Sequence, residues 1–162
     1  MKHGLGSEHP LCDRIQFLML IIFFMVWGID SLSHFIYGYS TIIFDTVIFP
    51  PLFLGTVLLL ALAFLLVLKS HKVVLEQVHD PPRLVNSGVY SWVRHPMYLG
   101  TLIFYLAFLF VTVSIVSIGI WIAFFLFYDR MATYEEKSLI QILGKDYTIY
   151  QKRVSKWLPK II

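Results

Sequence analysis

The sequence predicts an all-α integral membrane protein with about four transmembrane helices, a C-terminal helical hairpin and a cytoplasmic helical cap. Three observations support this fold class. Of the 162 residues, 58% are hydrophobic and only 14% are charged, which is unusual for a water-soluble domain. Long apolar stretches alternate with short polar ones. All Lys and Arg residues fall in three blocks, at positions 2–14, 69–94 and 130–160.

The first two apolar stretches each match the roughly 20 helical residues that cross a bilayer core of about 30 Å. Residues 15–37 are predicted to form the first span and residues 47–68 the second. The chain starts with a polar segment that contains Glu8 and Asp13, and no A-x-A-like cleavage site follows the first apolar run. We therefore interpret this run as a retained membrane helix and not as a signal peptide.

The third apolar stretch, residues 97–128, is predicted to form a helical hairpin. It contains no charged residue, and as one helix it would rise about 48 Å, which exceeds the bilayer core. The bend is expected at a group of small and polar residues: Thr112, Ser114, Ser117 and Gly119. Four spans place all three basic blocks on one side, and the positive-inside rule puts that side, with both termini, in the cytoplasm.

The C-terminal segment is predicted to form the helical cap. Residues 134–143 can form a helix that Gly144 ends, since glycine is common just after a helix C-terminus. Tyr147, Tyr150 and Val154 then recur at helical spacing. No internal repeat or flexible linker interrupts the chain, so we interpret it as one domain.

Composition excludes several kinds of site. The single cysteine, Cys12, rules out an internal disulfide framework and a CxxC metal or redox site. The positive net charge follows the predicted membrane topology, so it does not indicate nucleic-acid binding. Haem needs histidines at matching depth in facing helices, and of His34, His71, His79 and His95 only His34 lies well inside a span. We therefore expect no metal site.

Ionisable and polar residues gather at the two ends of the predicted hairpin. One group lies at the start of the third span and the other follows the fourth: Arg94, His95 and Tyr98, and then Asp129, Arg130, Glu135 and Glu136. Since the two ends of a hairpin are neighbours, we expect the two groups to converge in one polar site.

Each member of this site also has a simpler interpretation. Arg94 alone is typical of a cytoplasmic anchor, Tyr98 alone of an interfacial belt, and two glutamates alone of a solvated helix face. Together they favour a ligand site. The free amide groups of a helix that begins at Pro96, with Arg94 beside them, suit a carboxylate or phosphate. A Glu carboxylate can accept two hydrogen bonds from a vicinal diol, so we expect a ligand with a carboxylate, a ribose diol and a positive charge between them.

Asp30 and His34 lie one helical turn apart in the first span, on one face of the helix. Ionisable residues inside a span are candidates for function. This pair, however, lies in the non-cytoplasmic half, away from the predicted site. We expect a structural role in helix packing for it.

The two ends of the hairpin carry a two-part signature. The segments "LVNSGVYSWVRHPMYLG" and "YEEKSLIQILGKDYTIYQKRVSKWLP" resemble the isoprenylcysteine carboxyl methyltransferase family and its wider relatives, which include phospholipid N-methyltransferases. The resemblance covers residues 83–160, and it implies an integral-membrane enzyme that uses S-adenosyl-L-methionine. No GxGxxG sequence is present, which agrees with a cofactor site outside the Rossmann fold.

The resemblance also implies roles for individual residues. The cofactor would be bound by residues from both parts of the signature: Leu84, Val85, Gly88, Tyr90, Arg94, His95, Tyr98, Glu135 and Glu136. Arg130 and Glu135 would be catalytic, with Arg130 as the catalytic or substrate-positioning arginine. Within the single domain 1–162, residues 83–160 would hold the cofactor and carry out catalysis, and residues 1–69 would build the acceptor groove.

The acceptor is expected to be a lipophilic or lipidated molecule that enters from the membrane. Arg130 favours an anionic acceptor such as a prenylcysteine carboxylate, whereas a phospholipid amine or a small thiol would have to lose a proton. Two functions from other classes remain open. One is a non-enzymatic membrane scaffold or transporter subunit, and the other is a membrane reductase that binds a nicotinamide cofactor.

Overall fold

The structure is a computed structural model, and it describes residues 12–37, 49–76, 83–112 and 115–159. The helices within these ranges are α1 (Cys12–Tyr37), α2 (Phe49–Glu76), α3 (Pro96–Thr112), α4 (Ile115–Leu143) and α5 (Lys145–Arg153), with a 3-10 turn, Gly88–Ser91, before α3. The described residues form no β-strand, although Val93 and Ser155 pair in an isolated bridge. The all-α prediction is confirmed.

α2 and α3 pack against each other more extensively than any other pair of helices in the described part of the chain. A Cβ atom added to Gly100 would lie 2.8 Å from Val67 Cγ2, and one added to Gly55 would overlap the ring of Phe110. Glycine therefore lets the two helices approach where a side chain would not fit. Because Gly100 faces Val67 while Phe110 faces Gly55, the two helices are antiparallel.

α4 also runs antiparallel to α3. The Nε1–H group of Trp121 donates a hydrogen bond of 2.9 Å to the carbonyl oxygen of Leu102. Further along α4, the ring of Tyr128 packs against Tyr98 near the start of α3, with 5.4 Å between the ring centroids. The predicted hairpin is therefore confirmed. Of the residues predicted for its bend, Thr112 ends α3, Ser117 and Gly119 lie within α4, and Ser114 lies outside the described residues.

α1 runs parallel to α3. Phe23 packs against Tyr105 with 4.7 Å between ring centroids, and Trp27, one turn further on, packs against Phe108 at 5.5 Å. The four apolar helices thus alternate in direction. As a result, the start of α1, the end of α2, the start of α3 and the end of α4 share one end of the bundle, which we call the cap end.

Within the described residues, three helices are long and apolar enough to cross a membrane: Arg14–Ser33, Pro50–Val74 and Ile115–Leu143. α3 contributes a shorter apolar helix, Pro96–Val111. Many large apolar side chains lie exposed on the outside of the bundle, and an apolar surface of this extent needs a covering such as lipid. The chain is an integral membrane protein, and the count of four spans stays a prediction.

α4 corrects one expectation from the sequence. The sequence predicts a fourth span that ends at residue 128 and a separate helix over residues 134–143, but both belong to one continuous helix. No Gly or Pro occurs between Gly119 and Gly144, so nothing interrupts the helix. Gly144 has a φ angle of 59° and separates α4 from α5, as predicted.

α2 likewise extends past its predicted end at residue 68, to Glu76, because no Gly or Pro follows Gly55 within it. In α1, Asp30 is buried with 9% of its surface exposed. The side chain of His34 lies outside the described part of the structure, as does His79. The packing role expected for Asp30 and His34 therefore stays a prediction.

Candidate active site

The segment before α3 is fixed by the turn Gly88–Ser91, which packs on α2. Gly88 has a φ angle of 59°, a left-handed conformation that glycine adopts without strain. A Cβ atom at this position would also lie 3.2 Å from the Val73 side chain of α2. The turn buries Val89 and sets the position of Tyr90, which lines the cavity described below.

The start of α3 places two polar side chains at the cap end. Pro96 is the first residue of the helix, where its missing amide donor costs nothing. The carbonyl oxygen of His95 accepts a hydrogen bond of 3.0 Å from the amide of Leu99, which closes the first turn. Arg94 and His95 are thus held directly before the helix.

Glu136 of α4 lies at the centre of a buried set of hydrogen bonds. Its Oε1 atom accepts from Arg94 Nε at 2.8 Å and lies 2.9 Å from His95 Nε2, and its Oε2 atom accepts from Gln151 Nε2 at 3.1 Å. A carboxylate that accepts from a guanidinium and from an amide is ionised and has no proton to donate. His95 must therefore carry a proton on Nε2. We call Arg94, His95, Glu136 and Gln151 the Glu136 cluster.

Arg94 also holds the C-terminal segment in place. Its Nη1 group donates to the carbonyl oxygens of Gln151 and Val154, at 2.9 and 2.8 Å. The Arg94 amide donates to the carbonyl oxygen of Ser155 at 2.9 Å. The guanidinium is therefore paired with Glu136 and bonded to the chain that follows α5, which indicates a positioning role for Arg94.

A second set of contacts fastens the same segment to α4. Lys156 Nζ donates to Asp129 Oδ1 at 2.6 Å and to Thr133 Oγ1 at 2.8 Å. Trp157 Nε1 also donates to Asp129 Oδ1, at 2.8 Å. We call Asp129, Thr133, Lys156 and Trp157 the Asp129 cluster. The two clusters together hold the C-terminal segment against α4 and the start of α3.

The ring of His95 is held on several sides. Tyr98 stacks on it with 5.7 Å between centroids and only 6° between the planes, and Trp157 packs at 6.1 Å. Nε2 points to Glu136, while Nδ1 lies 3.7 Å from Oε2 of Glu135. That second distance is too long for a hydrogen bond. The ring orientation is therefore set by Glu136 and by its aromatic neighbours.

A cavity of about 130 Å³ opens at the cap end beside the Glu136 cluster. It is lined by residues of α2, the segment before α3, α3, α4 and α5: Val74, Arg83, Leu84, Val85, Tyr90, Arg94, His95, Met97, Tyr98, Glu135, Leu139, Leu143, Tyr147 and Tyr150. Most of the lining is aliphatic or aromatic, with a few charged groups among it. This composition is typical of a small-molecule site.

Tyr147 and Tyr150 contribute neutral hydroxyl groups from α5. Burial raises the pKa of both phenols well above the ordinary value, while Glu136 raises the pKa further and Arg94 opposes it. The hydroxyl of Tyr150 donates a hydrogen bond of 2.6 Å to the carbonyl oxygen of Tyr90. This bond joins α5 to the turn before α3, so α5 forms one wall of the cavity.

A comparison with protein families identifies the group to which this chain is related. A family model described as phospholipid methyltransferase matches residues 46–146, which is more than half of the chain. The chain belongs to the phospholipid methyltransferase family. The matched range contains α2, α3 and α4, which supply most of the cavity wall.

Curated members of related sequence carry methyltransferase names. Protein-S-isoprenylcysteine O-methyltransferases from Xenopus laevis and Homo sapiens are each 36% identical over 92 residues, which is 55% of this chain and 31% and 32% of those proteins. Methanethiol S-methyltransferase 1 from Bradyrhizobium diazoefficiens is 33% identical over 87 residues, 49% of this chain and 27% of that protein. The similarity thus spans about a third or less of the length of these relatives.

Most residues that the sequence singles out in this phospholipid methyltransferase family member do line the cavity. They are Leu84, Val85, Tyr90, Arg94, His95, Tyr98 and Glu135. Four others do not. Gly88 sets the turn that carries Tyr90, and Glu136 contacts Arg94 and His95 without lining the cavity. Asp129 binds Lys156 and Trp157, and Arg130 lies exposed on α4. The expected convergence of the two hairpin ends is observed in the contact between His95 and Glu136.

Arg130 lies on a different face of α4 from the cavity. Five residues separate it from Glu135, which corresponds to a rotation of about 140° around the helix axis. Leu139 and Leu143 continue the lining face at intervals of one turn after Glu135. The catalytic role of Arg130 stays a prediction that the cavity does not support, and the argument for an anionic acceptor loses its structural basis.

Half of the lining residues were not singled out from the sequence: Val74, Arg83, Met97, Leu139, Leu143, Tyr147 and Tyr150. Helical spacing from Glu135 could have indicated the two leucines. The tyrosines lie within the second part of the signature, at helical spacing from each other. No sequence pattern around Val74 indicates that it lines the cavity, because its position there depends on how far α2 extends.

Proposed function

We propose that this chain is an integral-membrane methyltransferase that uses S-adenosyl-L-methionine and acts on a lipophilic acceptor. The observation that carries the proposal is the cavity at the cap end, where both parts of the sequence signature meet. Membership of the phospholipid methyltransferase family and the methyltransferase names of its relatives support the same reaction class.

The residues of the cavity fit this cofactor. Its adenine ring suits the aromatic side chains of Tyr90 and Tyr98. Its ribose hydroxyls suit the carboxylate of Glu135, which can accept two hydrogen bonds and also favours a nearby positive charge. The guanidinium of Arg83, which lines the same cavity, suits the amino-acid carboxylate. We therefore assign cofactor binding to these residues together with Leu84, Val85 and His95.

When bound, the cofactor supplies an electrophilic methyl group. The residues of this chain then have to align the acceptor with that group and to exclude water. Glu136 fixes Arg94 and His95 by hydrogen bonds, and Arg94 fixes the segment after α5. Tyr147 and Tyr150 of α5 close one side of the cavity. We propose that this arrangement shields the reaction from the cytosol.

We assign the acceptor groove to residues 1–69, which include α1 and most of α2. The cavity is lined by residues from Arg83 onward and by Val74, which follows this range in α2 and adds an apolar side chain, as does Met97 of α3. A lipophilic acceptor can therefore reach the cavity along the apolar bundle. Residues 83–160 are assigned to cofactor binding and catalysis.

We also propose that the cap end faces the cytoplasm, with both termini on that side. Arg14 lies near the start of α1, and Lys69 and Lys72 lie towards the end of α2. Among the other described basic residues, Arg83 and Arg94 precede α3, Arg130 and Lys137 lie in the second half of α4, and the rest lie in α5 or directly after it. The positive-inside rule favours the cytoplasmic side for such an end.

The proposal is tested by ligand binding and by methyl transfer. The purified chain in detergent micelles is expected to bind S-adenosylhomocysteine in a calorimetric titration. It is expected to transfer a labelled methyl group from S-adenosylmethionine to an acceptor from a panel of prenylcysteines, aminophospholipids and alkanethiols. Glu135→Gln should weaken the binding of S-adenosylhomocysteine by about tenfold or more, since it removes a charged hydrogen-bond acceptor.

Asp146→Asn is the matched control, because Asp146 is an exposed carboxylate in the first turn of α5 and does not line the cavity. It should leave the affinity unchanged. NADPH is titrated alongside. Binding of NADPH without binding of S-adenosylhomocysteine would replace this proposal with a reductase, and absence of both would favour a non-enzymatic scaffold.

A further inference from the structure

The protonation state of His95 follows from its partners. Glu136 is ionised because it accepts hydrogen bonds from Arg94 and Gln151, so it can only accept from His95 as well. The Nε2 atom of His95, 2.9 Å away, therefore carries hydrogen. In a neutral imidazole with a proton on Nε2, the other nitrogen holds a lone pair. Nδ1 of His95 is thus the basic atom of this ring.

Nδ1 lies on the side of the His95 ring that faces Glu135. His95 and Glu135 both line the cavity, and Nδ1 lies 3.7 Å from Oε2 of Glu135. Tyr98 stacks on the ring and Trp157 packs against it, so the ring cannot turn without losing these contacts and the bond to Glu136. A carboxylate, a histidine and a cavity in this order form the arrangement that orients a general base.

Carboxylates of α4 lie near both nitrogen atoms of the His95 ring. From α4, the carboxylates of Glu135 and Glu136 lie on the two nitrogen sides of the ring, and Asp129 interacts with it electrostatically. Arg94 opposes them from the neighbouring position but is paired with Glu136. Tyr147 and Tyr150 from α5 face the same cavity as neutral phenols, and Arg83 lines it as a cation. An imidazolium formed here would be flanked by two carboxylates.

We propose that Nδ1 of His95 accepts the proton that the methyl acceptor loses, so that the acceptor is a protic nucleophile, a thiol or an amine. This inference rests on the proposed function. In the step, the S–H or N–H bond of the acceptor breaks, its electron pair stays on sulfur or nitrogen, and the proton forms an N–H bond at Nδ1. The neutral imidazole becomes an imidazolium. The electron pair of the acceptor forms the bond to the methyl carbon, the bond between that carbon and the sulfonium sulfur breaks, and its electron pair stays on sulfur in the departing S-adenosylhomocysteine.

A carboxylate acceptor does not match this geometry. It is ionised at neutral pH and needs no base. Arg130 is exposed on another face of α4, and the charge of Arg94 is balanced by Glu136. Arg83 is assigned to the cofactor carboxylate above. A base beside the cavity is useful only to an acceptor that must lose a proton.

The first test compares His95→Gln with the wild type on acceptors of different acidity. A glutamine amide can still donate to Glu136, as Nε2 does, but it supplies no basic nitrogen. With an alkanethiol or an aminophospholipid, kcat should fall by about 100-fold or more, the range of general-base catalysis. With an aromatic thiol that is already ionised at the assay pH, kcat at saturating S-adenosylmethionine should fall far less than with these protic acceptors, whatever the change in cofactor affinity. A purely structural role of His95 would lower both rates equally, and that result would overturn the proposal.

A second test measures which nitrogen of His95 carries hydrogen, in the wild-type protein and without catalytic turnover. In the cofactor-free wild type with ¹⁵N-labelled histidine, the His95 nitrogen signals are expected to show the neutral tautomer with hydrogen on Nε2. His95→Gln serves only to assign the signals, and if it fails to fold, the assignment comes from His71→Gln and the remaining single histidine variants. A neutral tautomer with hydrogen on Nδ1 would overturn the proposal, as would a ring that stays doubly protonated at every pH where the enzyme is active.

The acceptor panel separates this inference from the proposed function. Methyl transfer to a thiol or an amine supports both the methyltransferase function and the role of His95. The methylated product shows whether the acceptor is the thiol or the amine. Methyl transfer to a prenylcysteine carboxylate alone would overturn the role of His95 and leave the methyltransferase function standing. Absence of S-adenosylhomocysteine binding would overturn the proposed function itself, and this inference with it.

Discussion

The Glu136 cluster and the Asp129 cluster hold the same C-terminal segment, yet they differ in burial. In the first, the side chains of Arg94 and Glu136 are 13% and 11% exposed; in the second, those of Lys156 and Asp129 are 19% and 40% exposed. The first cluster also contains His95, which lines the cavity, whereas no member of the second lines it. One anchor of the segment is thus part of the site and the other lies outside it.

This difference in burial predicts that the two clusters contribute unequally to stability and to ligand binding. An ion pair that is largely buried leaves an uncompensated charge when one partner is removed. A pair that water reaches is screened and contributes little. The same kind of contact, an acidic residue of α4 with a basic residue, should therefore have unequal effects on the two sides of the segment. Variants of the two clusters can test this comparison directly.

The largest effect is expected from Arg94→Met. The methionine has similar length but leaves the Glu136 carboxylate without its guanidinium and two carbonyl groups of the C-terminal segment without their donor. We expect the free energy of unfolding to fall by about 3–5 kcal/mol, with loss of measurable S-adenosylhomocysteine binding. Thermal unfolding in detergent and calorimetric titration measure the two quantities.

Arg153→Met is the control for this variant, because Arg153 is exposed at the end of α5. It should change neither quantity appreciably. Equal losses in the two variants would show that the burial of Arg94 does not determine its contribution.

The second-largest effect is expected from Glu136→Gln. Asp129→Asn, in the other cluster, is the matched variant for comparison. The amide keeps the size of the side chain but removes the charge that pairs with Arg94 and orients His95. We expect a loss of about 2–3 kcal/mol, the range for a hydrogen bond to a charged group that leaves its partner buried, and a tenfold weaker binding of S-adenosylhomocysteine. Asp129→Asn should affect stability less and binding hardly at all. If both variants weaken binding equally, the two clusters do not differ in function.

The convergence of the two hairpin ends could be predicted from the sequence. The hydrogen bonds of Arg94 to the backbone of the C-terminal segment could not. The length of the uncharged run over residues 97–128 required a reversal, and a reversal makes its ends neighbours. The carbonyl groups that Arg94 binds belong to Gln151 and Val154, far along the chain, and no local pattern indicates a backbone acceptor. Sequence reasoning therefore found the residue and not its partners.

The role of Arg130 stays a prediction, and its place relative to the cavity depends on the length of α4. Its face on the helix depends on whether α4 is continuous past residue 128, and the sequence was interpreted as two helices there. Once the helix is continuous, the register from Glu135 excludes Arg130 from the cavity. Likewise, Val74 reaches the cavity because α2 extends to Glu76. Both differences arise because α2 and α4 are longer than predicted. They continue because no Gly or Pro interrupts them.

An alkaline titration tests the environment next to the Glu136 cluster. Burial raises the pKa of Tyr147 and Tyr150, so the folded state holds their protons more tightly than the unfolded state does. Their contribution to stability is complete below the ordinary tyrosine pKa near 10 and is lost as the pH rises above it. We expect the absorbance of tyrosinate to show that Tyr147 and Tyr150 are among the buried tyrosines that ionise only when the protein unfolds at high pH.

Tyr147→Phe should remove one of the late-ionising groups and move the unfolding transition to higher pH. Tyr134→Phe is the control, since Tyr134 is exposed on α4. A titration in which all tyrosines ionise before unfolding would contradict the burial of α5 against the cluster.

The smallest effect is expected from Lys156→Met, which removes the cation of the Asp129 cluster. Lys156 Nζ binds Asp129 and Thr133, but the pair is partly open to water, so its removal should cost about 0.5–1 kcal/mol. Trp157 still donates to Asp129 and keeps the segment near its place. Binding of S-adenosylhomocysteine should stay within about twofold of the wild type, because the cavity is unchanged. A loss of stability as large as that of Arg94→Met would mean that the Asp129 cluster, which does not line the cavity, holds the C-terminal segment as strongly as the Glu136 cluster does. That result would contradict the proposed difference between the two clusters.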